Sequence, residues 1–380
     1  MAISSQENCF PHGFSPDQIT FTYNHKKERT LMNINIKHYI SLKRFTSNTF
    51  SPQKWLWKLK QKIPLVLIFI SFGVSLLISC NTTPLPLRVA INLWPGYETL
   101  YLARSLGYYE NTLVTLLDFP SGTEQVRAFR NNNLESAAIS MDQALELATT
   151  NPDVRIITVV DFSEGGDVIL AKPEIPNLQA LKGKRVGVEA NALGAYIITR
   201  ALEKAGMTIE DIQVVSLGLS EHERAFKDDM IDAVVTFGPA RTQLLSFGAK
   251  EIFNSSQIPG EIVDVLISQK TAIANQSKDV QALVNGQFQA LNYLAQNPQD
   301  SARRIAPRTQ VTPEEFLEAN KGLRRPSLQE NQQLLDRENP ALLETTQRLI
   351  DVMVANKLLS KSLDAMTLFD DRFVKAAKLE

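Results

Sequence analysis

A chain of 380 residues exceeds what one hydrophobic core usually supports, so two lobes are expected. Its 40 Lys and Arg are balanced by 41 Asp and Glu, which leaves no basic track for nucleic acid and no charge excess to attract a polymer. Thiol and imidazole chemistry is limited to Cys9, Cys80, His12, His25, His38 and His222. Removal of the first 79 residues would leave one Cys and one His, which excludes a disulfide, a Cys/His zinc cage and a Cys/His dyad; no cofactor or metal is expected.

Residues 1 to 53 are rich in Asn, Ser, Lys and His and lack apolar periodicity. They are read as a disordered extension or the product of a misplaced start, with Met32 or a codon nearer Lys54 as the alternative. Lys54, Lys58, Lys60 and Lys62 then precede an apolar run from Ile63 to Ile78, shorter than the roughly 20 residues a helix needs to cross hydrocarbon. Residues 54 to 79 therefore read as a signal peptide. The end of the run, Leu77-Ile78-Ser79-Cys80, resembles the lipobox of bacterial lipoproteins, which implies cleavage before Cys80 and a diacylglycerol on its thiol. An uncleaved anchor is the alternative. Either way the remainder is expected to be held outside the cytoplasm, on a membrane face, with residues 80 to 86 as a short polar, proline-bearing tether.

From Leu87 onward, apolar strands alternate with amphipathic helices, the pattern of a mainly parallel sheet covered on both faces. Strands are expected at 87–93, 113–118, 136–140 and 154–161, with helices starting near Glu98, Thr123 and Asp142. A second series has strands near 185–188, 212–216 and 233–237 and helices from about Leu193, Ser220 and Ala240. The two series share sequence as well as order. Leu87-Arg-Val-Ala-Ile answers to Lys184-Arg-Val-Gly-Val, and Arg127-Ala-Phe-Arg-Asn-Asn answers to Arg224-Ala-Phe-Lys-Asp-Asp. Arg88 to Arg185 and Arg127 to Arg224 are both separated by 97 positions. One spacing kept by two separate segments points to two copies of one β-α-β-α-β half.

Glu261 to Ile267 reads as a strand that returns to the first lobe, so that two crossings form a hinge. Lobe 1 is then 87–170 plus 262–380, and lobe 2 is 171–261. The remainder is helical: Ser277 is expected to cap a long helix, Thr312-Pro-Glu-Glu315 and Ser327-Leu-Gln-Glu330 read as capping boxes, and a last long helix spans Ala341 to Asn356.

In open α/β sheets, ligands sit beyond the carboxyl ends of the strands, where helix N-termini offer free N–H groups. The loops at those ends supply the candidate site. Trp94 and Tyr97 in Trp94-Pro-Gly-Tyr97 can form apolar walls with polar tips, although Trp94 could equally plug its own lobe. Ser121, Gly122 and Thr123 open a helix and can cradle an oxygen-bearing group, or Thr123 can simply cap it. Asp142 stands at the next helix start, where an N-cap is the plain alternative. Asp161-Phe-Ser-Glu-Gly-Gly-Asp167 contributes Ser163 and Asp167, with Glu164 fitting an ordinary solvated turn; this much acid near a hinge invites an amine-bearing ligand. From lobe 2 come Asn191, Phe237 and Arg241, the last open to a solvent-facing role, and from the return strand comes Asp264.

These stretches are similar to the solute-binding proteins of nitrate/sulfonate/taurine-type import systems. The likeness is carried by Ala90-Ile-Asn-Leu-Trp-Pro-Gly-Tyr-Glu98, Tyr101-Leu-Ala-Arg-Ser-Leu-Gly-Tyr-Tyr109, Gly122-Thr-Glu-Gln-Val-Arg-Ala-Phe129, Leu181-Lys-Gly-Lys-Arg-Val-Gly-Val188 and Ile258-Pro-Gly-Glu-Ile-Val-Asp264. The resemblance implies the bilobal type II periplasmic-binding fold and a monomeric receptor that closes over a small solute. It also implies a partner: an ABC permease driven by a cytoplasmic ATPase. No Gly-x-x-x-x-Gly-Lys-Ser/Thr loop is present here, which fits that division of labour. One departure weakens a sulfonate assignment: Gly238-Pro-Ala-Arg241 stands where many relatives carry a second aromatic-rich stretch. Two other classes stay open. One is an enzyme of the pyrimidine-precursor type, for which His222 between acids gives little support, and the other is a lipid-anchored sensor without transport.

Overall fold

The computed structural model describes residues 85–379, so the expected extension at 1–53, the expected signal peptide at 54–79 and the expected lipidation of Cys80 lie outside the described residues. In the first half of the described chain β1 (Leu87–Ile91), β2 (Val114–Asp118), β3 (Ser136–Ser140) and β4 (Val154–Ser163) alternate with helices Glu98–Ser105, Gly122–Arg130 and Met141–Thr150. The chain then crosses to a second series: β5 (Val168–Ala171), β6 (Arg185–Val188), β7 (Gln213–Ser216), β8 (Ala233–Thr236) and β9 (Lys250–Asn254), with helices Ala192–Lys204, His222–Lys227 and Gly238–Ser246. It returns through β10 (Val263–Gln269), and the short β11 (Leu323–Arg324) lies among the C-terminal helices.

Two sheets result, ordered β11-β4-β10-β3-β1-β2 in lobe 1 and β7-β6-β8-β5-β9 in lobe 2. In each, three strands run parallel, β2-β1-β3 and β7-β6-β8, and the neighbour of the third runs antiparallel: β10 beside β3, β5 beside β8. The two antiparallel strands are exchanged. β5 enters lobe 2 as the chain leaves lobe 1, and β10 enters lobe 1 as the chain leaves lobe 2, so each crossing ends inside the other lobe's sheet and makes both sheets mixed.

The 97-residue repeat is visible at atomic level. Arg88 gives its backbone N–H and its guanidinium to Glu135, with bonds of 2.9, 2.8 and 2.6 Å. Arg185 does the same to Asp232 at 2.8, 3.1 and 2.8 Å. Both pairs span 47 residues and tie the start of the first strand of a half to the start of its third. Asn132 and Asp229, again 97 apart, both take φ of 56°, the left-handed conformation that Asn and Asp tolerate best after glycine, and end the equivalent helices.

β5 shows why such strands are buried on both faces. Val168 and Leu170 pack with Phe226, Ile231 and Leu244, while Ile169 and Ala171 point into the main core, the period-2 division of a strand between two layers. In lobe 1 the long helix Ser277–Gln296 packs on Glu98–Ser105, and Leu343–Ala355 packs on Met141–Thr150, so C-terminal helices back this lobe.

Several expectations need correction. β5 and β9 were not anticipated: β5 is only four apolar residues beside a Gly-rich turn, and β9, Lys250-Glu-Ile-Phe-Asn254, has just two apolar residues among polar ones. Since β5 belongs to the lobe 2 sheet, the first crossing lies between Ser163 and Val168, and Val168–Leu170 move from lobe 1 to lobe 2. Ser277 is the first helical residue rather than a cap; Gln276 occupies that position without a side-chain bond. Thr312 and Glu315 form the reciprocal box, whereas Ser327 accepts from the Glu330 N–H without a returned bond from Glu330 to its own N–H. The last long helix begins at Leu343, two residues after Ala341. Among the described residues no helix is long and apolar enough to cross a membrane.

Candidate functional site

The carboxyl ends of β1, β3, β6 and β8 meet at the line between the lobes. There they line a half-open cavity of about 20 Å³, room for about one water molecule. Its wall takes Asn92, Trp94, Tyr97, Gly122, Ser140, Gln143, Asp167 and Asp264 from lobe 1 and the crossing, and Glu189, Asn191, Leu193 and Phe237 from lobe 2. Seven of the residues singled out from sequence are therefore together on it: Trp94, Tyr97, Gly122, Asp167, Asn191, Phe237 and Asp264.

Several of them are held by partners. The Trp94 indole N–H donates to both oxygens of Asp161, at 3.3 and 3.2 Å, and the ring meets Phe237 edge-on with centroids 5.5 Å apart. Trp94 thus both fills lobe 1 and forms cavity wall, which joins its two sequence readings. The Tyr97 hydroxyl donates to Asp264. Gly96, between these aromatics, is required by close approach: a Cβ there would lie 1.7 Å from Asp161 Oδ2. The Asn191 side chain accepts from the Gly194 N–H at 2.8 Å and so caps its helix while lining the cavity.

The other four candidates have structural duties beside the wall. Ser121 is the cap of its helix and accepts from the Glu124 N–H at 3.3 Å. Thr123, not the cap, reaches across the lobes: its hydroxyl and N–H both donate to Glu189 Oε1, at 2.8 and 3.2 Å. Asp142 is buried in the first turn of its helix without capping it. Ser163 staples the hinge. Its hydroxyl lies 2.8 Å from that of Ser255 on the second crossing and accepts from the Asp167 N–H at 3.1 Å, while Ser255 Oγ takes the Gly165 N–H at 2.7 Å.

Arg241 is turned to the hinge rather than to the cavity, donating to the Gly165 carbonyl and to Glu251, each at 3.0 Å. Glu164 pairs with Arg324 at 3.1 Å. His222 is fully buried in lobe 2, 3.2 Å from the Thr236 hydroxyl and off the cavity wall; burial pushes its pKa down to about 4.

Asn92, Ser140, Gln143, Glu189 and Leu193 were not singled out, although Glu189 opens the loop that matches the Trp94 loop by the repeat. Asp161 was noted only as part of its loop. In the sheet, Asp264 on β10 stands opposite Ser140 on β3 and Asp161 on β4, so all three share one level at the sheet's end.

Electrostatically the site is acidic. Burial pushes Asp167 and Asp142 up to about 7 and Asp161 up to about 6, the last moderated by the Arg325 guanidinium and the Trp94 bond. Asp264, buried and facing Asp161, is pushed well above the ordinary carboxylate range. Two carboxyls at one level of adjacent strands cannot both ionise cheaply, so this pair retains a proton near neutral pH. Among the described residues no three His, Cys, Asp or Glu are arranged to hold a metal ion.

A family model described as NMT1/THI5 like matches residues 94–301, from the Trp94 loop through the hinge and into the long helix after β10. The chain belongs to the NMT1/THI5-like family. A binding protein of Brucella abortus is 31% identical over 121 residues, 32% of this chain and 37% of its own, so the match spans little more than a third of that relative. In overall fold this family member resembles the alkanesulfonate-binding protein SsuA of Xanthomonas axonopodis pv. citri, solved bound to MOPS: TM-score 0.64, 19% identity, 75% of this chain and 98% of that one. It also resembles the desulfurization enzyme DszB: TM-score 0.58, 15% identity, 77% and 98%. At such identities the likeness is one of fold, and this fold carries both binding and catalysis.

Proposed function

We propose that this chain is the extracytoplasmic solute-binding component of an ABC importer, held to a membrane through lipid on Cys80, which captures a small polar molecule by closure of its two lobes. The observation that carries the reading is the cavity itself. Its walls come from both lobes, which are bridged beside it by Thr123–Glu189 and Trp94–Phe237, so parting the lobes widens the space for a solute and bringing them together closes the walls on it. The hinge required for that motion is a pair of strand crossings joined by Ser163 and Ser255. The Brucella and Xanthomonas proteins are named for binding, which favours the same role here, with the permease as the surface that reads the closed state.

The DszB-like fold keeps catalysis as the competing class. Against it stand a cavity wall without His, Cys or Lys and a lone described imidazole engaged elsewhere. Two measurements test the proposal. Mass spectrometry of protein purified under native conditions should find a small molecule in stoichiometric amount, and small-angle scattering should show compaction when it is returned to stripped protein. Turnover of that molecule, or binding with no change in shape, would overturn it.

A further inference from the structure

On the receptor reading above, we propose that the solute is a small organic cation bearing N–H groups, held by Asn92 and Asp167, and that a free oxyanion is refused. The argument is an account of donors and acceptors on the cavity wall. Tyr97 and Trp94 have spent their hydrogens on Asp264 and Asp161. Among the buried atoms of the wall, those without a partner are Asn92 Oδ1, both carboxylate oxygens of Asp167 and the Ser140 hydroxyl; the Gln143 amide, which can donate or accept, also makes no side-chain hydrogen bond there. Asn92, Asp167 and Ser140 are 8%, 1% and 1% exposed and all line the cavity. Three of the four unpartnered buried atoms are acceptors only when Asp167 is ionised, and buried acceptors without donors are costly, so the missing partner is a donor.

Two of the helix starts an anion would use are already filled, whereas the start of helix Met141–Thr150, beside Ser140 and Gln143, carries no side-chain cap. The Thr123 N–H, in the first turn of helix Gly122–Arg130, is taken by the Glu189 carboxylate, which also bonds the Thr123 hydroxyl. The Gly194 N–H at the start of helix Ala192–Lys204 is taken by Asn191, and the Glu124 N–H by Ser121. A sulfonate or nitrate at the Thr123 N–H would have to displace Glu189, and anywhere on the wall it would lie close to Asp167 or Asp264 with no Lys, Arg or His to balance it. A cation meets three carboxyls and the rings of Trp94, Tyr97 and Phe237, whose faces attract positive charge. Because burial and the charge of Asp161 raise Asp167 to about 7, cation binding should weaken as pH falls. Asp142, Asp161 and Asp264 push in the same direction, and Arg241 opposes them.

The test is calorimetric titration of the whole protein, stripped of bound solute, with methylguanidinium, methylammonium, tetramethylammonium and methanesulfonate. The two N–H cations should bind, at least tenfold more weakly at pH 5.5 than at pH 8, and tetramethylammonium, which has no N–H, should bind at least tenfold more weakly than methylammonium. Asp167→Asn should weaken methylguanidinium at least tenfold and Glu189→Gln several-fold, with both variants melting cooperatively as proof of folding. Methanesulfonate binding without cation binding would overturn the proposal and leave the receptor reading intact. Cation binding indifferent to both substitutions, or silence from every cation, would also overturn it; the receptor reading is judged separately by the co-purified molecule and the scattering.

Discussion

Thr123 and Glu189 are joined across the two lobes, the threonine hydroxyl donating to the carboxylate at 2.8 Å from a helix start in lobe 1 to the loop after β6 in lobe 2. A threonine in the first turn of a helix is ordinarily explained by capping, but Ser121 performs that duty. The bond exists only when the lobes are together. Thr123→Val keeps the shape and the backbone N–H bond and removes the hydroxyl. The closed form should lose about 1 kcal/mol, shifting the closed-to-open ratio about fivefold toward open. Spin labels placed on the two lobes would report that shift as a larger long-distance population in the solute-free protein; an unchanged distribution would mean the bond contributes nothing to closure.

Sequence patterns revealed the halves because a repeat constrains many positions at once. Arg88 and Arg185 stand out as equivalents in the text of the chain, and their equivalence survives to the bonds with Glu135 and Asp232. Loop residues after strands were likewise legible, since the topology of a doubly wound half forces strand ends to one edge. Glu189 and Asn92 escaped because nothing local marks an acceptor whose partner is 66 residues away, as Thr123 is for Glu189, or absent. β5 escaped because four apolar residues beside a Gly-rich turn make too short a pattern, and its place in the other lobe's sheet is not one that its neighbours in sequence share.

The buried acids give the empty protein an inverted acid response. Asp167 and Asp142 have folded pKa values raised to about 7 from an ordinary value of 3.8. Between these values the folded state binds more protons than the unfolded chain, so stability from this source is present at low pH and declines as pH rises from about 4 to 7. Around Asp167, burial and the carboxyls of Asp161, Asp142 and Asp264 raise its pKa, while Ser163 and Arg241 lower it. Stripped protein should therefore melt at a higher temperature at pH 5.5 than at pH 8. Asp167→Asn should flatten that difference by raising the melting temperature at pH 8, which differential scanning calorimetry would detect; a melting temperature that rises steadily with pH would contradict the protonated cluster.

Gly96 is fixed by Asp161 more than by its own backbone. With a Cβ placed 1.7 Å from Asp161 Oδ2, Gly96→Ala must push the carboxylate off the Trp94 indole or shift the turn that carries Tyr97. Such overpacking costs about 3 kcal/mol at the upper end of its usual range. Urea unfolding should show the loss, and the site should fail with it, because both aromatic walls move. A fully stable G96A protein would mean the turn has room that the geometry denies.

Trp94 offers a direct view of closure. The other two tryptophans, Trp55 and Trp57, precede the described residues and can be replaced by Phe, leaving one indole that is buried against Phe237 from the opposite lobe. In that background Phe237→Ala removes the edge-to-face partner, an interaction of about 1 kcal/mol beyond the area it buries. The closed form should become less populated, and Trp94 emission should shift to longer wavelength as water reaches the ring. Phe237→Leu restores much of the volume without the aromatic edge and should fall between the two. If emission from both variants matched the parent, Trp94 would be shielded by lobe 1 alone, and Phe237 would have no part in holding the lobes together.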